Sequence, residues 1–377
     1  MGLRSVRKHA CAVHLASRSQ CTKLCGELDQ AHTFHTPGGP DRSPEGDAIA
    51  VFNACCHPSD ALPLTLEEPR TQKDLSKALD DSCFASLMDP ARSSPCRRAH
   101  LKLVSAPGSG TFWNACPSKA MHLDVEQGLF VAMLWRWLRL PFADEETYCP
   151  QCGGILDIHG DHALVCPCGG DRTRRHNLLR NSVFHVARSA GLQPELERPG
   201  LLPPRPLCSG APEDGSKDTS QESSSRRPAD IYIPRWRLGP SCAWDFAVTS
   251  GLRPDMVAAS SRDCGAACRS YEDHKRGYLD THRQCTQQGL GFVPLVVEAV
   301  GGGWGKEARK IWSELAKSMA LAQGELASNS ECGASLVQRL SIMLHKENAR
   351  AVLRRFGHGG VCPDKHVSSI AATVMEA

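Results

Sequence analysis

Apolar positions recur at helical spacing over residues 123–140, where Leu123, Leu129, Phe130, Met133, Leu134, Trp137 and Leu138 form one broad face closed by Pro141. Residues 64–88 are also helix-like. Over 173–190, Leu178, Leu179, Val183, Val186 and Ala187 fall on one side, and Gly191 is placed as a left-handed residue past the helix end. Three runs suit strands: 229–233, 242–248 and 292–298, the last an apolar, Val-rich run fit for burial. A short strand near Leu196 precedes them. A helical segment over 254–288 separates the second and third strands, and helices over 306–322 and 335–356 follow. The order predicts a mixed α/β (α+β) domain, a mixed sheet flanked by helices.

Elsewhere the pattern fails. Residues 1–60 show no period of 3.6 or 2.0 and are expected to be poorly structured. Residues 199–226 hold 5 Pro, 3 Gly and 6 Ser among 28 positions; too little apolar surface is present to offset ordering entropy, and a disordered insertion is expected. Residues 146–171 are dense in Cys, Gly and His and too short for a core of their own. The expected organisation is 1–60 poorly structured, 61–145 a helical segment, 146–171 a metal loop, 172–356 the main domain, and 357–377 a tail.

Composition narrows the class. The 377 residues carry 44 Lys plus Arg against 41 Asp plus Glu, a net charge of +3, too weak to argue polyanion binding from charge alone. No run of 18 apolar residues exists, so a membrane span is not expected. The short patch from Ala10 to Ala16, broken by His14, makes a poor secretory signal. The 19 cysteines, an odd count, are therefore expected as reduced thiols of an intracellular protein, where metal binding outweighs disulfide pairing.

Cys149, Cys152, His162 and Cys166 are spaced C-x2-C-x9-H-x3-C, which lets a knuckle and a return loop bring three thiolates and an imidazole to one tetrahedral zinc. Gly153, Gly154, Gly160, Gly169 and Gly170 supply tight turns. His159 and Cys168 are competing ligands. Four protein ligands leave no open position, so this zinc is expected to be structural.

Asp230 opens one strand, and Asp245 lies 15 residues on inside the next, flanked by Trp244 and Phe246. A carboxylate in such company costs free energy unless it is paired or holds a cation, and two hard oxygen donors suit Mg²⁺. The alternatives are that Arg235 or Arg237 satisfies Asp245, that Asp230 is a turn residue and that Lys275 is solvated. Glu298 is either a third ligand or a solvent-facing strand end. The basic run Arg172, Arg174, Arg175 and His176, with Arg180 one turn on, is either a phosphate-contacting surface or a solvated helix face. Arg226, Arg227, Arg235 and Arg237 fit the same surface. Aromatic residues make up only 6% of the chain, so sequence readout by stacking is not expected.

The cysteine–histidine run, Arg174-Arg175-His176-Asn177, Arg227-Pro228-Ala229-Asp230, Asp245, Lys275 and Gly302-Gly303-Trp304-Gly305 together resemble the carboxy-terminal region of site-specific non-LTR retrotransposon polyproteins. There a zinc knuckle precedes a restriction-enzyme-like endonuclease of the PD-(D/E)XK class. The resemblance covers residues 100–356. It implies that Asp230 and Asp245 hold Mg²⁺ and that a lysine assists. Ala229 separates Asp230 from Pro228, and Ala247 stands where the motif lysine is expected; Lys275, or secondarily Arg276, would supply it from the next helix. The implied activity is nicking of target DNA by a metal-dependent phosphodiesterase in the nucleus, with DNA or RNA as partner and a reverse transcriptase supplied separately. The alternatives are a non-catalytic zinc-dependent nucleic-acid-binding module, and a decayed retrotransposon fragment without activity. Ala78-Leu79-Asp80-Asp81 is rejected as a polymerase motif, because it reads as helix.

Overall fold

A computed structural model describes residues 5–29, 44–63, 70–120, 123–203, 228–236, 239–323 and 329–357. The expected insertion from residue 204 onward, with Arg226 and Arg227, lies outside the described residues, as do Arg237 and all of the tail beyond Gly357. The chain forms two compact units, dividing between Ser94 and Pro95.

The first unit corrects the expectation of poor structure for the described part of residues 1–60; residues 1–4 and 30–43 lie outside the described residues. It holds α1 (Val6–Leu28), α2 (Pro44–Cys55) and α3 (Gln72–Met88). Cys11, Ala12, Leu15 and Ala16 pack with Ile49, Phe52, Cys56, Leu62, Leu75 and Leu79. The buried face of α1 is built largely from Cys and Ala, whose weak hydropathy hides the period. Caps mark the helix starts: Ser5 Oγ accepts from Lys8 N, and Thr71 Oγ1 from Asp74 N. Asp80 and Asp81 lie within α3, where Asp80 meets His9 at 3.2 Å.

The second unit holds α4 (Pro95–Val104), α5 (Gln127–Leu138), the hairpin β1 (Thr147–Tyr148) and β2 (Ile155–Leu156), α6 (Asp161–Val165), α7 (Asp171–Ser189), β3 (Glu195–Leu196), β4 (Ile231–Ile233) and β5 (Cys242–Thr249). After these come α8 (Val257–Ser260), α9 (Ala266–Gly277), α10 (Thr281–Gln287), β6 (Gly291–Glu298), α11 (Lys306–Gln323) and α12 (Asn329–Arg355). The metal loop and the main domain thus share one compact unit with α4 and α5. Among the described residues, no helix is long and apolar enough to cross a membrane.

Two helices differ from expectation. The 254–288 segment is three helices, broken around Gly265 and again where Leu279 and Asp280 take left-handed backbone. In α5 the buried residues are Leu129, Ala132, Met133, Trp135 and Arg136, while Phe130 and Leu138 are largely exposed. A helix apolar on nearly every side does not announce which side packs.

The sheet order is β3-β4-β5-β6; β3, β4 and β5 are antiparallel, and β6 runs parallel to β5 at the edge, where Pro294 is tolerated. Along β5, Cys242, Trp244 and Phe246 face the main core with α7, α11 and α12, through Leu179, Val183, Leu315 and Leu340. Ala247 takes the other face, toward Cys268 of α9. Asp245 belongs to that second face.

Candidate functional site

The hairpin β1–β2 and the short α6 form the cysteine–histidine loop, the candidate metal site. Cys149 N donates to the Gly154 carbonyl at 2.7 Å, Gly153 N to the Cys149 carbonyl at 2.8 Å, and Gly153 turns through φ 69, which a side chain would resist. Asp157, which the sequence pattern did not single out, accepts from the amides of His159, Asp161 and His162 at 3.0, 3.1 and 2.8 Å and so sets the path into α6. The ligand atoms of Cys149, Cys152, His162 and Cys166 all lie within 4.8 Å of one another. Cys152 Sγ is 3.2 Å from His162 Nε2, and Cys149 Sγ is 4.0 Å from Cys166 Sγ. Zn–S bonds of about 2.3 Å in a tetrahedron give sulfur separations of about 3.8 Å, so the donor set can hold a metal such as zinc. Burial pushes the Cys149 thiol up, but hydrogen bonds from the Gln151 and Cys152 amides and from the Cys152 and His162 side chains bring it down to about 6. His159 and Cys168 stand outside this group.

The loop is bolted to its neighbours by guanidinium groups. Arg136 of α5, buried, donates to the carbonyls of His159 and Gly160, and Arg139 meets Asp161 at 3.0 Å. At the start of α7, Asp171 accepts from Arg354 and Arg355 of α12, each at 2.7 Å.

The second site forms where β4 and β5 meet α7 and α9. The register Ile231↔Trp244, Tyr232↔Ala243 continues one step to set Asp230 opposite Asp245, and Asp230 N donates to the Trp244 carbonyl at 3.0 Å. Directly opposed side chains on one face are near neighbours. Lys275, from α9, places Nζ 2.8 Å from Asp245 Oδ2. Asp230 Oδ2 accepts from Phe246 N at 2.6 Å and lies 3.1 Å from His176 Nε2. The structure therefore brings Asp230, Asp245 and Lys275 together and adds His176, which the sequence had grouped with the phosphate-contacting residues.

These groups set one another's charge. Burial, with the nearby Asp230 charge, pushes the Asp245 carboxyl up to about 6 against the opposing pull of Lys275. Burial works against Asp230 too, but His176, the Phe246 amide and Lys275 outweigh it and hold that carboxyl below its usual value. His176 and Lys275 are both raised: burial disfavours their charge, and Asp230 and Asp245 respectively more than restore it.

Other candidates land elsewhere. Arg175 is a correction: it is buried, donating to Asn348 Oδ1 at 2.6 Å and to the Leu164 carbonyl at 2.9 Å, so it ties α7 to α12 and faces no surface. Arg180 is buried against Glu197. Arg172 and Arg174 are exposed, Arg174 pairing with Glu347 at 2.9 Å. Glu298 is buried and takes the amides of Gly251, Val300 and Gly301 at 3.0, 2.9 and 2.7 Å, which makes it the organiser of the turn after β6. Arg235 is exposed, and Lys275 is the partner Asp245 has. Arg276 pairs with Asp273 at 3.1 Å.

Comparison with protein-family models and with curated proteins finds no match for this chain.

Proposed function

We propose that this protein is a metal-dependent DNA endonuclease of restriction-enzyme-like architecture, derived from a retroelement, with a structural zinc loop beside the nuclease domain. The observation that carries this reading is the contact of Lys275 with Asp245 at 2.8 Å, directly across the sheet register from Asp230. A lysine and two acidic residues meet there although Ala247 stands where the motif lysine was expected. Ala247 is small and buried, packing on Cys268 and Tyr271, so α9 sits close over β5 and delivers Lys275 from above.

Among the described residues, the contacts to both carboxylates fall on their Oδ2 atoms. The Oδ1 atoms are the hard donors that would take a Mg²⁺ ion. The ion, when bound, supplies Lewis acidity to a water and to the phosphodiester. His176 and the Phe246 amide orient Asp230. Lys275 holds positive charge beside the attacking oxygen and the charge that develops on phosphate. Arg172 and Arg174 offer charge to the strand backbone. In the cysteine–histidine loop, four protein ligands complete a zinc shell with no place for water, which fits a role in holding α6 and α12.

Plasmid nicking tests this reading. Supercoiled DNA with Mg²⁺ should relax to the open circle, and EDTA, Asp245→Asn or Lys275→Ala should each reduce the rate by 100-fold or more. Retained nicking by Asp245→Asn sinks the assignment. DNA binding without nicking by the wild-type chain favours the binding-module alternative.

A further inference from the structure

The end of α9 carries a feature that the proposed cleavage does not use. Tyr271, His274, Lys275 and Tyr278 follow one another at i, i+3, i+4 and i+7, one side of a helix. The rings of Tyr271 and His274 have centroids 5.5 Å apart, and those of His274 and Tyr278 5.6 Å, both tilted pairs. The inner rung is anchored: Tyr271 packs beside Ala247, Cys268 and Val296, close enough to Lys275 to act on its charge. The outer rung opens to solvent, with Tyr278 57% and Leu279 44% exposed.

The backbone that presents the outer rung is costly. Leu279 (φ 51) and Asp280 (φ 58) are consecutive left-handed residues, neither of them glycine. The turn is held by Thr281 Oγ1 donating to the Tyr278 carbonyl at 2.7 Å and by Gln284 Nε2 donating to the Leu279 carbonyl at 3.3 Å. Disfavoured backbone that displays apolar side chains beside a reactive cluster points to a ligand. The exposed large apolar side chains here are Tyr278 and Leu279, flanked by the charged Asp273, Arg276, Asp280 and Arg283, fewer than the roughly 20–30 residues a protein interface takes from each side. It matches one flat, apolar, hydrogen-bonding object of nucleobase size.

We propose that the Tyr271–His274–Tyr278 ladder is a stacking site for an unpaired nucleobase next to the scissile phosphodiester. The preferred substrate is then DNA with unpaired bases at the cleavage point, such as a bulge or a flap. In continuous duplex every base is already stacked on its neighbours and gains nothing from Tyr278. An unpaired base gains a π-face. The inference rests on the nuclease reading above.

The test uses the full chain with Ca²⁺ in place of Mg²⁺ and two DNA probes of one sequence: fully paired, and with a two-base bulge containing 2-aminopurine. The bulged probe should bind on the order of tenfold more tightly, with its fluorescence quenched by stacking. Tyr278→Ala should abolish both the preference and the quench while keeping the wild-type Tm, and Tyr278→Phe should keep both. Equal binding of the two probes by wild type, or a preference that survives Tyr278→Ala, overturns the ladder while leaving duplex nicking in Mg²⁺ as support for the nuclease. Absence of all DNA binding and nicking overturns both.

Discussion

Asp245 is a mostly buried carboxylate whose facing cation is Lys275, at 2.8 Å. Its carboxyl, pushed up to about 6 by burial and by Asp230, binds a proton more tightly in the folded chain than in the unfolded one. The sign follows by linkage: between the unfolded value near 4 and the folded value near 6, the folded state holds more protons, so stability falls as pH rises through that window. The stability difference between wild type and Asp245→Asn should therefore shift against wild type by about 2 kcal/mol from pH 4 to pH 7. Mg²⁺ should recover much of that loss in wild type and none in the variant. Chemical denaturation at a series of pH values checks this, and a pH-independent difference would mean that Asp245 is not strained by its surroundings. Sequence alone marked Asp245 as a charged residue in apolar company. It did not reveal His176 as the partner of Asp230, because 54 residues separate the two.

At the scale of elements, the glycines after β6 are packing devices. A Cβ on Gly301 would lie 2.1 Å from the Leu103 carbonyl oxygen of α4, and one on Gly305 2.1 Å from Glu272 Oε1. Backbone cannot yield as a side-chain tip can, so Gly301→Ala should cost about 3 kcal/mol or more, seen as a drop in denaturation midpoint or loss of soluble protein. Wild-type stability in that variant would contradict the close approach. The Gly302-Gly303-Trp304-Gly305 motif thereby gains a structural meaning: Trp304 enters the core beside Trp312, with ring centroids 4.9 Å apart, and the glycines let the chain pass between α4, α9 and α12. The metal loop acts at the same scale. Gly160 approaches Val352, and Ala163 packs with Ala351 and Val352, so the loop is a buttress for the end of α12. Stripping metal with a strong chelator, or Cys149→Ser, should speed hydrogen exchange in 148–171 and 345–356 while β5 and β6 stay protected. Unchanged exchange in the loop would mean that no metal is held.

Among the described residues of the second unit, two neutral histidines, His100 and His345, lie in the interior. Burial is the main cause that lowers His100 to about 4 and His345 to about 3; the Arg139 and Arg136 charges add to it at His100, opposed by Asp161, and Arg136 adds to it at His345. His345 packs against Phe112 in a tilted pair with ring centroids 4.3 Å apart, and its Nε2 is buried without a partner. A histidine depressed in the folded state is neutral there and charged when unfolded, so its stability contribution is full above about 6.5 and fades as pH falls toward 4 and 3. Acid unfolding should be steep below pH 6, with up to about 1.4 kcal/mol lost per pH unit and per histidine. His345→Gln should flatten that slope; an identical slope would place the acid sensitivity elsewhere.

What the linear chain determined is what depends on near neighbours. Apolar spacing marked α7 and its Gly191 end, the Val-rich β6 and the dense run of Cys and Gly whose four donors lie within 20 residues of each other. Local spacing carries enough information to close a metal loop, because its donors are joined by short turns. Residues 64–88 were legible as helix, but α1 and α2 of the first unit escaped notice, since Cys and Ala, small and weakly apolar, make up most of the buried side of α1. Only the tertiary structure decided the rest. It turned Arg175 inward to Asn348 and made Glu298 a turn organiser, because a buried charge goes wherever hydrogen-bond partners from distant segments can satisfy it. It also set Lys275 over Asp245, since the depth of α9 on β5 depends on how closely Cys268, Ala247 and Val296 pack, and that distance is written in no single stretch of sequence.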